Sequence, residues 1–174
     1  MKFIPNAIIS KTTSTLSSKI VAIIDSTIHA TKKPAINQHL HYNENYKRHG
    51  MMTTLLLNYD HYIACFVTGG MGRMHDAAAK HMKCFVKILQ GKYALGDPGY
   101  EGVPYVVAGF KSNQLQQQEK DERNKFDRIS RKEQIPIEHV NNFIKSCRVL
   151  SKRNQFIHSR DKHIALCFYS MWLV

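Results

Sequence analysis

Three acidic residues stand where an acid is costly unless it binds something. Asp25 closes the apolar run at residues 19–25 (KIVAIID), and Asp97 closes a second run at 93–97 (YALGD). Glu138 borders an apolar stripe of Ile137, Val140, Ile144, Cys147 and Leu150. A carboxylate at the end of a buried strand carries a desolvation cost that a cation relieves. Three carboxylates brought together form a hard oxygen site suited to Mg²⁺ or Mn²⁺. Two such ions about 3.5–4 Å apart can serve both the attacking and the leaving oxygen in phosphodiester cleavage. Each acid also has a plainer reading. A strand-end Asp is most often a turn residue, and a Glu in the first turn of a helix favours the macrodipole.

The elements that must position these acids follow from hydrophobic pattern. Residues 19–25 form a continuous β-branched run, the pattern of a strand buried on both faces. Residues 51–58 (MMTTLLLN) and 62–68 (YIACFVT) read as two more strands, and the short turn between them makes an antiparallel hairpin. Residues 75–90 read as a helix with Ala78, Met82, Phe85 and Leu89 on one face, stopped by Gly91. Residues 93–97 are a fourth strand and 104–110 a fifth. The segment 111–134 is polar, Gln-rich and charged, and reads as a charged insertion or mobile segment, partly helical. Pro136 reads as the first residue of a helix, which puts Glu138 in its first turn, and residues 161–173 read as a last helix. The order predicts an α/β fold with a mixed sheet of about five strands flanked by helices. Residues 1–18 read as an irregular lead-in, and 19–174 as one domain. In this reading the strands ending in Asp25 and Asp97 are parallel neighbours, and Glu138 overlooks the same sheet edge.

The chain has 174 residues with 25 Lys and Arg against 13 Asp and Glu, a net charge of +12. So positive a charge points to a polyanionic partner, since Lys and Arg displace counterions from phosphates. Cys65, Cys84, Cys147 and Cys167 form no C-x-x-C pair, which argues against a zinc site or disulfide framework and for buried thiols. His29, His39, His41 and His49 share one segment, but their spacing matches no standard zinc site. The apolar runs are too short to span a membrane, and residues 1–16 lack the pattern of a secretory signal.

Taken in order, five blocks resemble the DDE transposase family that includes the harbinger-type elements and related insertion sequences. They are Ile23-Ile24-Asp25-Ser26-Thr27, with Ser26 where the family has Gly; Asn45-Tyr46-Lys47-Arg48-His49; Gly72-Arg73-Met74-His75-Asp76; Asp97-Pro98-Gly99-Tyr100-Glu101-Gly102; and Ile129-Ser130-Arg131 followed by Ile137-Glu138-His139-Val140 and Lys145. The resemblance implies an RNase H-like fold, with Asp25, Asp97 and Glu138 as the catalytic, metal-binding triad and a divalent cation, Mg²⁺ or Mn²⁺, as cofactor. It implies site support from His75 and Asp76. Lys47, Arg48, Arg131, Lys132 and Lys145 are then DNA contacts. The implied partners are transposon ends or target DNA, a separate DNA-binding protein and a second copy of the chain. The implied location is the nucleus, or the cytoplasm of a bacterium. Only 24 residues precede Asp25, too few for the helix-turn-helix module usual in the family. A shortened or domesticated relative that binds DNA without cutting it is the alternative.

Overall fold

The computed structural model describes residues 12–73, 82–89, 91–109 and 117–146. The helix expected at 161–173 and the residues His75, Asp76, Cys147 and Leu150 lie outside them. The elements run β1 (Ile20–Ala30), α1 (Gln38–His41), β2 (Tyr42–Asn43), β3 (Arg48–Asn58), β4 (Ile63–Met71), α2 (Met82–Leu89), β5 (Tyr93–Gly96), β6 (Val106–Ala108) and α3 (Gln117–Ser146). They build one mixed sheet and its flanking helices, an α/β RNase H-like fold.

Strand β1 is central. It pairs antiparallel with β3 from Ala22↔Asn58 to Ala30↔Gly50, and parallel with β5 through Ala22↔Ala94 and Ile23↔Leu95. Strand β4 pairs antiparallel with β3 on the far side from β1, and β6 pairs parallel with β5. The hairpin expected at 51–68 is therefore β3–β4. The two-residue β2 pairs with the start of β3 at Tyr42↔His49 and Asn43↔Arg48.

β-Branched residues at Ile20, Val21, Ile23, Ile24, Thr27 and Ile28 explain why β1 is buried on both faces. From Ile23 onward the faces alternate. Ile24 joins Leu56, Phe85, Leu89 and Ala94 under α2, while Ile23 joins Leu55, Leu57, Phe66, Ile137 and Ile144 under α3. Cys65 is buried in the first group, and burial, with the nearby Cys84, pushes its thiol up to about 12.

Several boundaries differ from the sequence reading. Strand β1 does not end at Asp25 but runs on to Ala30, because its backbone keeps pairing with β3 as far as Ala30↔Gly50. Across the same pair of strands Ser26 Oγ bonds Thr54 Oγ1 at 2.7 Å. The fifth strand is only Val106–Ala108. Pro136 does not start a helix but lies inside α3, so Glu138 is not in a first turn. A proline there removes one backbone donor, the partner of the Lys132 carbonyl, and the helix is long enough to continue past it. Of the charged stretch 111–134, everything from Gln117 on is part of this 30-residue helix, about 45 Å long.

The residues before β1 are tied to α3. Glu133 accepts from Ser14 Oγ at 2.6 Å, Thr15 N at 2.8 Å, Thr15 Oγ1 at 2.5 Å and the Tyr59 hydroxyl at 2.7 Å. Burial works to raise the Glu133 carboxyl, but these donors outweigh it and hold it below the ordinary carboxylate value. Burial pushes the Tyr59 hydroxyl up.

Candidate active site

The β1–β5 register decides where the two aspartates meet. Ala22 lies opposite Ala94 and Ile23 opposite Leu95, an offset of 72 residues at each pair. Continued two residues further, the same offset puts Asp25 level with Asp97. Asp97 is one residue past β5 but keeps an extended backbone, φ −71° and ψ 170°, so the strand's alternation reaches it. Both aspartates then share the parity of Ile23 and Leu95, the face covered by α3. Adjacent strands lie about 4.8 Å apart, which makes the two carboxylates close neighbours.

Helix α3 supplies the opposite wall. Ile137 and Ile144 are fully buried against the sheet. Glu138, Asn141, Asn142 and Lys145 face a cavity of about 580 Å³ that Asp25 and Asp97 also line. The three acids predicted from sequence thus open on one cavity. They do not close on a single point: among the described residues no three His, Cys, Asp or Glu form a ready-made metal cluster. Glu138 is exposed, and the α3 residue that reaches Asp25 is Asn141, one turn further along.

Hydrogen bonds set both aspartates. Asp25 Oδ2 accepts from Asn141 Nδ2 at 2.6 Å, and Oδ1 accepts from the Ser26 backbone N–H at 2.8 Å. Asp97 Oδ1 accepts from Gly99 N at 2.9 Å, capping a single 3₁₀ turn at Pro98–Tyr100. That turn aims Tyr100 into the core, where its hydroxyl meets Ser26 Oγ at 2.6 Å. A chain of three hydroxyls, Thr54–Ser26–Tyr100, therefore links the residue after Asp25 to the turn after Asp97. Gly96 permits this approach: a Cβ there would fall 2.9 Å from Val106 Cγ1 and 3.1 Å from both Ile24 Cγ2 and Tyr100 Cδ2.

Of the five basic residues named from sequence, Lys145 lines the cavity. Its ammonium is shifted down by burial, with Asp25 pulling it up and Arg48 pushing it down. Lys47, Arg48, Arg131 and Lys132 are exposed and lie outside the lining. Sequence reasoning missed Arg73, Tyr42, Tyr46 and Asn141, all of which line the cavity. Arg73 and Tyr46 lie within blocks it had quoted. Asn141 had no distinguishing signal beyond its place three residues after Glu138, one helical turn.

Fold and cavity together define an RNase H-like domain with an acidic cavity beside two parallel strands, Asp25 within β1 and Asp97 just past the end of β5. The chain belongs to the DDE superfamily endonuclease family, whose profile matches residues 24–169. No curated protein and no solved structure matches it. The family makes the chain a nuclease- or transposase-type domain and implies DNA as its substrate.

Proposed function

We propose that this domain cleaves DNA phosphodiester bonds, and joins strands, with divalent metal ions held by Asp25, Asp97 and Glu138. The observation that carries this is the parallel register that levels Asp25 with Asp97 on the face where Glu138 shares their cavity. The donor set fits a hard divalent cation. All three are carboxylates, the hard oxygen donors that such ions take. When bound, a pair of such ions would supply an activated nucleophile and a stabilised leaving oxygen.

The chain's own residues do the positioning. Asn141 and the Ser26 N–H fix the Asp25 carboxylate, and the Gly99 N–H fixes Asp97. Lys145 and Arg73 bring cations to the cavity for a DNA phosphate. The test is a cleavage assay with Mg²⁺ or Mn²⁺ on wild type and Asp25→Ala, where only wild type should cut.

The competing reading is a relative that binds DNA without cutting it. The absence of a three-carboxylate cluster among the described residues favours it. It predicts that Asp25→Ala leaves DNA binding intact and that wild type cleaves nothing with either metal.

A further inference from the structure

We propose that the hairpin from Tyr42 to Arg48 holds one unpaired nucleotide beside the scissile phosphate, its base stacked on Tyr46. The proposal rests on the reading of this cavity as a DNA-cleaving site. The cavity extends from the acids to a second wall formed by Tyr42, Asn43, Glu44, Asn45 and Tyr46, with Arg73 beside it. Its volume of about 580 Å³ falls in the range of about 300–1,000 Å³ that holds a compact organic ligand. A single nucleotide turned out of the stack is of a size to enter such a space.

The wall is a built platform. Asn43 donates through Nδ2 to the Gly72 carbonyl at 2.7 Å and accepts through Oδ1 from the Tyr46 N–H at 3.1 Å. Arg48 Nε donates to the Tyr46 carbonyl at 3.1 Å, so the backbone of Tyr46 is held on both sides. Arg73 N bonds the Leu40 carbonyl at 3.0 Å, tying the end of β4 to the hairpin's base. Gly72 makes that closure possible, since a Cβ there would lie 2.4 Å from the His41 carbonyl oxygen and 2.7 Å from that of Gly50.

On this fixed backbone Tyr46 is 48 % exposed and Tyr42 37 %. The Tyr42 ring is braced edge-on by His49, with centroids 5.2 Å apart. Exposed aromatic rings beside cations are how proteins take unpaired bases: the ring stacks on any base face, and the cation meets the phosphate. Arg73 and Lys145 supply the cations here, and a preset platform avoids the ordering cost of a mobile one.

The experiment compares a short blunt duplex with the same duplex carrying a single-stranded overhang that contains 2-aminopurine, using the full chain without divalent metal. Wild type should bind the overhang form more tightly at equal salt and quench its fluorescence. Tyr46→Ala should weaken overhang binding about tenfold and abolish the quenching, with blunt-duplex binding unchanged. Tyr46→Phe should restore both. Because Tyr46 is half exposed, the Ala variant should melt with wild type; Tyr42→Ala, expected to act in the same direction, serves if it does not. Retained preference and quenching in both Ala variants would overturn the proposal, as would failure of Tyr46→Phe to restore them. Cleavage of DNA by wild type with Mn²⁺ is scored separately, so the platform can fail while the nuclease reading stands.

Discussion

Replacing Asn141 with leucine separates what the residue does for the fold from what it does for the site. Asn141 is 3 % exposed, donates to Asp25 at 2.6 Å, and carries a buried Oδ1 with no hydrogen-bond partner. Losing a hydrogen bond to a charged group costs about 1.5–3 kcal/mol, while removing an unsatisfied buried acceptor returns about 1–3 kcal/mol. Leucine matches the neighbouring buried Ile137 and Ile144, and the half-exposed Asp25 can turn to water for a replacement donor. The two effects nearly cancel, so Asn141→Leu should change stability by no more than about 1 kcal/mol, or about 2–4 °C in Tm for a chain of this size. Metal-dependent cleavage should nevertheless fall about 10–100-fold, the usual loss when a residue orienting a metal-binding side chain is removed. Asn141→Asp should be worse on both counts. Two like charges 4 Å apart repel by about 4 kcal/mol at an effective dielectric of 20. The assays are thermal melting in metal-free buffer and cleavage rate with Mn²⁺. Full cleavage by Asn141→Leu would refute the positioning role. A loss of stability well beyond that margin would show that Asn141 serves the fold instead.

Glu138→Gln should leave the metal-free Tm at or slightly above wild type, because it removes one of several neighbouring negative charges, and should cut cleavage by orders of magnitude; an active variant removes Glu138 from the chemistry. DNA binding should weaken steeply with salt, by a log–log slope of several units from the net charge of +12, and a salt-independent affinity measured by anisotropy would contradict this. Glu133→Gln should lower stability by about 1–2 kcal/mol after allowance for solvent screening of a partly exposed group. Its folded-state carboxyl lies below the ordinary value, so that contribution is fully present above about pH 4.3 and is lost as pH falls through the lowered value. Denaturant melts should therefore show wild type and variant converging in acid and separated at neutral pH. Gly96→Ala should destabilise by about 1–3 kcal/mol through overpacking against Val106, Ile24 and Tyr100, and a neutral melt would mean that β6 yields freely.

The strands were legible because continuous apolar runs such as residues 20–24 and 55–57 admit few other fates, and the parallel pairing of the two Asp-bearing strands followed from their order. The extension of β1 beyond Asp25 was not legible. Its polar residues look like a turn until Ser26 and Thr54 are seen to satisfy each other across strands. Pro136 misled because proline favours a helix's first turn, and nothing local shows that residues 117–135 are already helical. Asn141 was hidden for a related reason. On a helical wheel it falls at the border of the apolar stripe, between Ile137 and Lys145, and only the docking of α3 reveals that it is buried while Asn142 is exposed. The tie to Glu133 joins residues more than a hundred positions apart and leaves no periodic trace.

That tie makes helix α3 a lever with its handle ahead of the sheet. Ser14 and Thr15 grip Glu133, and Glu138 lies five residues, about 7.5 Å, further along the same helix. A pull on the backbone at residue 12 is therefore shared between β1, which carries Asp25, and α3, which carries Glu138 and Asn141. The cavity's two walls are loaded together. A fragment cut to begin at Lys19 would keep every strand of the sheet and lose the handle.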